Sequence, residues 1–164
     1  MPKTYDIIIV GAGPAGIFAA IELLSSKKNL KILLIEKGED LFEREPSEFF
    51  HGWGGAGTFS DGKLNLSSEV GGFLNEFLGI AELDELINYV DSIFLKYGAP
   101  KELHGEDKEG IKNLEEDAVK NGLKLIPFRI RHLGTDRCFT ILENIRKDLD
   151  KRIDLLFNTE VLEI

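Results

Sequence analysis

Gly11, Gly13 and Gly16 in GAGPAG, followed by Glu36, have the types and spacing to hold a phosphorylated ligand. A glycine at 11 allows a tight turn. One at 13 removes a side chain where backbone must approach a pyrophosphate, and one at 16 lets a helix pack closely on its strands. The amides of a helix starting near Pro14 and Ala15 would face the diphosphate, backed by the positive end of the helix dipole. Glu36, twenty residues after Gly16, would accept hydrogen bonds from ribose hydroxyls, and its charge disfavours a ribose 2′-phosphate. No Gly-Lys-Ser/Thr follows the glycines, so the pattern is not a P-loop. The plainer reading, a strand–helix turn and a solvated acid, needs strand, helix, second strand and acid to fall in register by chance.

The elements that would position these residues are legible around them. YDIIIV (5–10) is a continuous apolar run, the signature of a strand buried on both faces of a parallel sheet. IFAAIELL has helical periodicity and fades over 25–29, with Ala19 and Ala20 keeping the helix contact small; KILLI (31–35) is a second strand ending on the acid. No comparable strand returns until IDLLF (153–157), whereas a parallel crossover needs only a dozen or more residues. The expected architecture is α/β: a Rossmann-like FAD/NAD(P)-binding fold over 1–164 with a parallel sheet, carrying a long helical insertion over 39–134.

Within the insertion, 80–97 reads as a helix stopped by Gly98-Ala99-Pro100, and 108–121 as a more charged helix. LKLIPFRI (123–130) is strand-like, with Pro127 marking an edge or bend. Thr135 or Asp136 caps a helix reaching about Asp150, with Phe139, Leu142, Ile145 and Leu149 as its apolar face. EVLEI after Asn158-Thr159 starts another strand, and 99–108 is the most linker-like stretch.

FFHGWGGAGTFSDGKLNL (49–66) holds five glycines around the only tryptophan of the chain. A structural turn needs one or two glycines, so this run gives up unusual backbone entropy. Its place after the acid suggests a backbone that must approach a ligand closely, with Trp53 either stacking on the ligand's ring system or, with Phe59, anchoring the loop. The net charge of −9 argues against nucleic acid as a partner. One cysteine, Cys138, excludes an internal disulfide and any cysteine-rich metal site, and reads as a small buried residue. His51, His104 and His132 lack metal-ligand spacing, and no metal is expected. The first apolar run is too short for a membrane span, so a cytoplasmic protein without membrane contact is expected.

The combination of GAGPAG with Glu36, GWGGAGTFSDGKL and RHLGTDR resembles the N-terminal part of the FAD-dependent dehydrogenases of the NAD(FAD)-utilizing group, within the glutathione-reductase-like flavoprotein fold. The resemblance implies that Gly11, Gly13, Gly16 and Glu36 bind the ADP half of FAD, with Lys37 and the region up to Arg44 beside the adenosine. It implies that the loop from Gly52 to Gly62, including Gly54, Gly55, Ala56 and Gly57, passes close to the pyrophosphate and the flavin ring, and that Val161 contacts adenine through its main chain. Lys63, just after the loop, would be a cation for reduced flavin or a phosphate; a solvated turn lysine is its plainer role. His132 falls in the HLGTD segment that the family shares. Such proteins are longer and carry a second glycine-rich segment, so this chain is expected to be a C-terminally incomplete fragment, inactive and binding FAD incompletely alone.

The reading that follows is the FAD-binding portion of a flavin-dependent dehydrogenase acting on a small-molecule substrate. FAD is its cofactor and NAD(P)H a candidate electron donor; no catalytic residue is assigned. Two alternatives stay open: an NAD-binding dehydrogenase domain, against which the long insertion counts, and a non-catalytic dinucleotide-binding redox sensor.

Overall fold

Ile7–Val10, the β-rich end of the first apolar run, forms strand β1, and the chain leaves it at Gly11 with a φ of +101°. That left-handed turn delivers Pro14 to the first position of helix α1 (Pro14–Ser25), where its missing N–H costs nothing. Strand β2 (Ile32–Ile35) then lies parallel to β1, with Ile7 opposite Ile32 and Val10 opposite Ile35. The computed structural model describes residues 3–26, 29–47 and 49–163.

The chain divides into two compact units. The first comprises 1–60 and 135–164, and the second is Asp61–Gly134. The insertion expected over 39–134 therefore differs from the observed unit at its start, because the glycine-rich loop packs with the sheet. In the first unit β5 (Asp154–Leu156) returns beside β2 in parallel, giving the order β1-β2-β5. IDLLF is thus the third strand of the dinucleotide-type sheet. Helix α4 (Thr135–Leu149) precedes it. The core gathers Ala12, Ile17, Ala20, Leu34, Leu41 and Trp53 with Ile141, Ile145 and Leu149 of α4.

Four expectations about these elements are corrected. β1 is not buried on both faces: Ile8 and Val10 are more than half exposed, because among the described residues nothing covers that face. The buried stripe of α4 is Cys138, Ile141, Ile145 and Leu149, rotated from the expected one so that Phe139 lies at the surface. Glu160–Glu163 is not a strand, since no described strand lies beside it; Asn158 and Thr159 instead bond the carbonyls of Gly38 and Glu36. Of the two small residues expected in the α1 contact, Ala20 is buried and Ala19 is exposed.

In the second unit, β3 (Lys63–Leu66) pairs antiparallel with β4 (Arg129–His132), with Lys63 opposite His132. β4 begins after Pro127, later than the strand read from LKLIPFRI, because proline cannot donate to the ladder. Helix α2 (Ile80–Lys96) buries Leu83 and Ile93. Its Asp91 takes a two-pronged bond from Arg131 at 2.6 and 2.7 Å, and Arg131 also donates to the Pro100 carbonyl. Helix α3 (Lys108–Lys120) is capped by the Asp107 carboxylate, which accepts from the Gly110 amide.

Candidate functional site

The carboxyl ends of β1 and β2 open onto a cavity of about 320 Å³. Its walls include Gly11, Gly13, Glu36, Lys37, Phe50 and Val161. This is the place where open α/β sheets receive ligands. The structure thus brings together five residues that the sequence singled out. A larger cleft, about 650 Å³, lies where the strands begin, between Lys3, Lys31 and Arg152; no fingerprint residue reaches it, and the smaller cavity has the backbone chemistry.

Each fingerprint glycine has a separate cause. Gly11 holds a φ that side chains rarely adopt. A Cβ on Gly16 would sit 1.9 Å from the Gly11 carbonyl oxygen and 3.3 Å from Ile9 Cγ2, so this glycine is fixed by helix–strand contact. Gly13 is different: its φ is −74°, and a Cβ there meets nothing within 4 Å. The space that a side chain would fill is open. Gly13 is also the N-cap of α1 and offers no side-chain cap, so the helix's first amides keep their capacity for an anion. Pro14 and Ala15, at that terminus, are exposed.

Glu36 is nearly buried, and its carboxylate gathers three segments. Oε2 accepts from the Ala12 amide at 2.7 Å; Oε1 accepts from the amides of Gly38 and Gly52, both at 2.9 Å. Burial alone pushes this carboxyl up, but the three amide bonds and nearby Arg44 outweigh it and hold its pKa below the ordinary value. A carboxylate offers about four lone-pair directions, so part of its accepting capacity remains. Lys37 beside it is exposed.

The glycine-rich loop docks on the fingerprint. Gly54 donates to the Ala12 carbonyl at 2.8 Å, and a Cβ on Gly55 would lie 3.5 Å from Gly13 Cα. Gly52, Gly54 and Gly55 all have positive φ, after which 55–59 turns as a short 3-10 helix that includes Ala56 and Gly57. Trp53 anchors this loop. It is fully buried, donates from Nε1 to the Leu142 carbonyl at 3.0 Å and meets the Phe157 ring edge-on at 6.2 Å. Arg146, paired with Asp40 at 2.9 and 3.0 Å, lies over both rings.

Arg44 is placed inside the loop, almost buried. Its Nη1 donates to the carbonyls of Trp53 and Gly55 and to Thr58 Oγ1. Lys63 belongs to the second unit, where it is exposed and paired with Asp61 at 2.9 Å. His132 is exposed in that unit, its ring 6.3 Å from that of His104. The sequence reading singled out neither Ala12 nor Gly38, while Gly52 and Thr58 fall within the loop it drew from Gly52 to Gly62. A Cβ on Gly38 would meet the Gly52 amide nitrogen at 2.3 Å, and the only hint was a glycine two residues after the acid.

A family model described as pyridine nucleotide-disulphide oxidoreductase matches residues 5–164. The chain belongs to that family. An uncharacterized protein of Clostridium beijerinckii is 32% identical over 173 residues, covering 96% of this chain and 25% of its own length. The chain thus spans about a quarter of that relative's length. The thioredoxin reductase of Bacillus subtilis is 56% identical over 36 residues, 22% of this chain and 11% of that enzyme. Among solved structures, an L-amino acid deaminase from Proteus vulgaris is similar over 96% of this chain and 45% of its own, at 15% identity and a TM-score of 0.48. No helix among the described residues is long and apolar enough to cross a membrane.

Proposed function

We propose that this chain is the portion of a flavin-dependent oxidoreductase that holds the ADP half of FAD, in a dehydrogenase of the NAD(FAD)-utilizing group. The observation that carries the reading is Gly13: its side-chain space is open, and it stands at an uncapped helix N-terminus beside a cavity walled by Glu36. In this reading the amides at Ala15 and Gly16 take the diphosphate, the remaining capacity of Glu36 takes a ribose hydroxyl, and Val161 lies against the adenine. Lys37 stands at the cavity rim. FAD, when bound, supplies the redox chemistry. The chain's own residues bind and orient it, and the docked loop shields the diphosphate side from water. NAD(P)H as electron donor and a small organic molecule as substrate belong to the same proposal.

The family's description favours one competing reading, a site for the pyridine nucleotide itself. Titration of the chain with FAD, ADP and NAD separates the two. Competitive binding of FAD and ADP, with NAD weaker, supports the flavin site. NAD binding that FAD does not displace would replace it with the pyridine-nucleotide site.

A further inference from the structure

We propose that Arg44 is a positioning residue, which sets the path of the glycine-rich loop and acts on a dinucleotide only through it; this rests on the reading of the cavity as a dinucleotide site. A guanidinium is costly to bury unless its donors are met, and Arg44 meets the loop's own backbone. Nη1 lies 2.8 Å from both the Trp53 and Gly55 carbonyl oxygens and 2.7 Å from Thr58 Oγ1. Nη2 reaches the Phe49 carbonyl at 3.3 Å, and the guanidinium stacks 4.9 Å from the centre of the Phe59 ring. Thr58 closes the arrangement by donating to the same Trp53 carbonyl at 2.7 Å.

The loop needs such a partner. Its glycines at positive φ cannot form a regular ladder, so inward carbonyls would lack donors. Glu36 and Arg44 divide the work by charge: the carboxylate takes the Gly52 amide, and the guanidinium takes the next carbonyls along the chain. Carbonyl oxygens held on Arg44 carry their partial negative charge away from an anion at the fingerprint. Gly55 is left with its Cα side toward Gly13. A lysine cannot substitute, because a point ammonium lacks the planar fork that reaches several acceptors at once.

Trp53 is the only tryptophan and lies in the loop, so its emission reports loop order without any cofactor. Arg44→Met, Arg44→Lys and the control Glu43→Gln are compared by acrylamide quenching of Trp53, far-UV circular dichroism and ADP titration. The expected result is Trp53 quenched several-fold more readily in both Arg44 variants. Their helix signal is retained, and ADP affinity falls about tenfold, the scale of one lost charged hydrogen bond; the control is unchanged. Should Arg44→Met fail to fold, Arg44→Lys keeps the charge and carries the test. Guanidinium ion at millimolar concentration is expected to restore Trp53 shielding in Arg44→Ala. Trp53 shielded as in the wild type in every Arg44 variant overturns the proposal. Intact shielding with weakened ADP also overturns it, since Arg44 would then touch the ligand. Exposed Trp53 in the variants with no ADP binding by the wild type supports the hold on the loop and overturns the dinucleotide reading instead.

Discussion

The amide of Gly54 donates to the carbonyl of Ala12 at 2.8 Å, joining the glycine-rich loop to the first turn of GAGPAG. Ala12 is held from its other side by Glu36, which also takes the Gly52 amide. Fingerprint, acid and loop are therefore one hydrogen-bonded body, and their substitutions can be sorted by whether they break that body or only its open surface.

Within the loop, Gly54→Ala is expected to destabilise the protein by about 3 kcal/mol, the sum of a left-handed alanine and local overpacking. A Cβ there would meet Thr58 Oγ1 at 2.4 Å and Leu142 Cδ1 at 2.7 Å, with φ at +83°. Gly57→Ala, with nothing within 4 Å and no positive φ, is expected to change stability by less than about 0.5 kcal/mol. Urea unfolding of the two variants measures the difference.

The fingerprint divides in the same way. Gly16→Ala drives a methyl to within 1.9 Å of the Gly11 carbonyl, and a loss of about 2–3 kcal/mol is expected. Gly13→Ala enters open space at an ordinary φ and is expected to unfold within about 0.5 kcal/mol of the wild type. Equal losses at both positions would show that Gly13, too, is held by packing.

Glu36→Gln turns an amide nitrogen toward backbone donors that a carboxylate now accepts, with an expected cost of about 2–3 kcal/mol near neutral pH. Because the folded pKa of Glu36 lies below its ordinary value, the stability it contributes is present above about pH 4.3 and is lost as pH falls through the folded value. Urea midpoints followed downward from about pH 5 should fall more steeply for the wild type than for the glutamine variant. Parallel curves would show that the three amide bonds do not favour the charged carboxylate.

In the second unit, Asp91→Ala leaves the guanidinium of Arg131, 3% exposed, without its carboxylate. The expected loss is about 3–5 kcal/mol, most of it recovered when Arg131→Met accompanies Asp91→Leu. Hydrogen exchange in α2 and β4 reports it directly.

Much of this was readable from residue order. Strand, glycine turn, helix, strand and acid at 5–36 specify a local unit, and its parts lie at fixed spacings. Helices α2 and α3 were legible through their periodicity and their stops at Gly98 and Asn121. β3 was not: KLNL is four residues long, and only pairing with β4 makes it a strand. The inner role of Arg44 was also hidden, because a charged residue near a glycine run reads as solvent- or ligand-facing until the loop is seen folded around it. The stripe of α4 was misread at Phe139, which lies at the surface while Ile141 is buried beside Cys138.

In the proposed function, the cavity at Gly13 receives the diphosphate of a dinucleotide. Calorimetric titration of ADP into the wild type and Gly13→Ala tests it most directly, since the variant is expected to keep its stability. ADP is expected to bind the wild type and to bind Gly13→Ala at least about tenfold more weakly because of the single added methyl. Equal ADP affinity in the two proteins would contradict it.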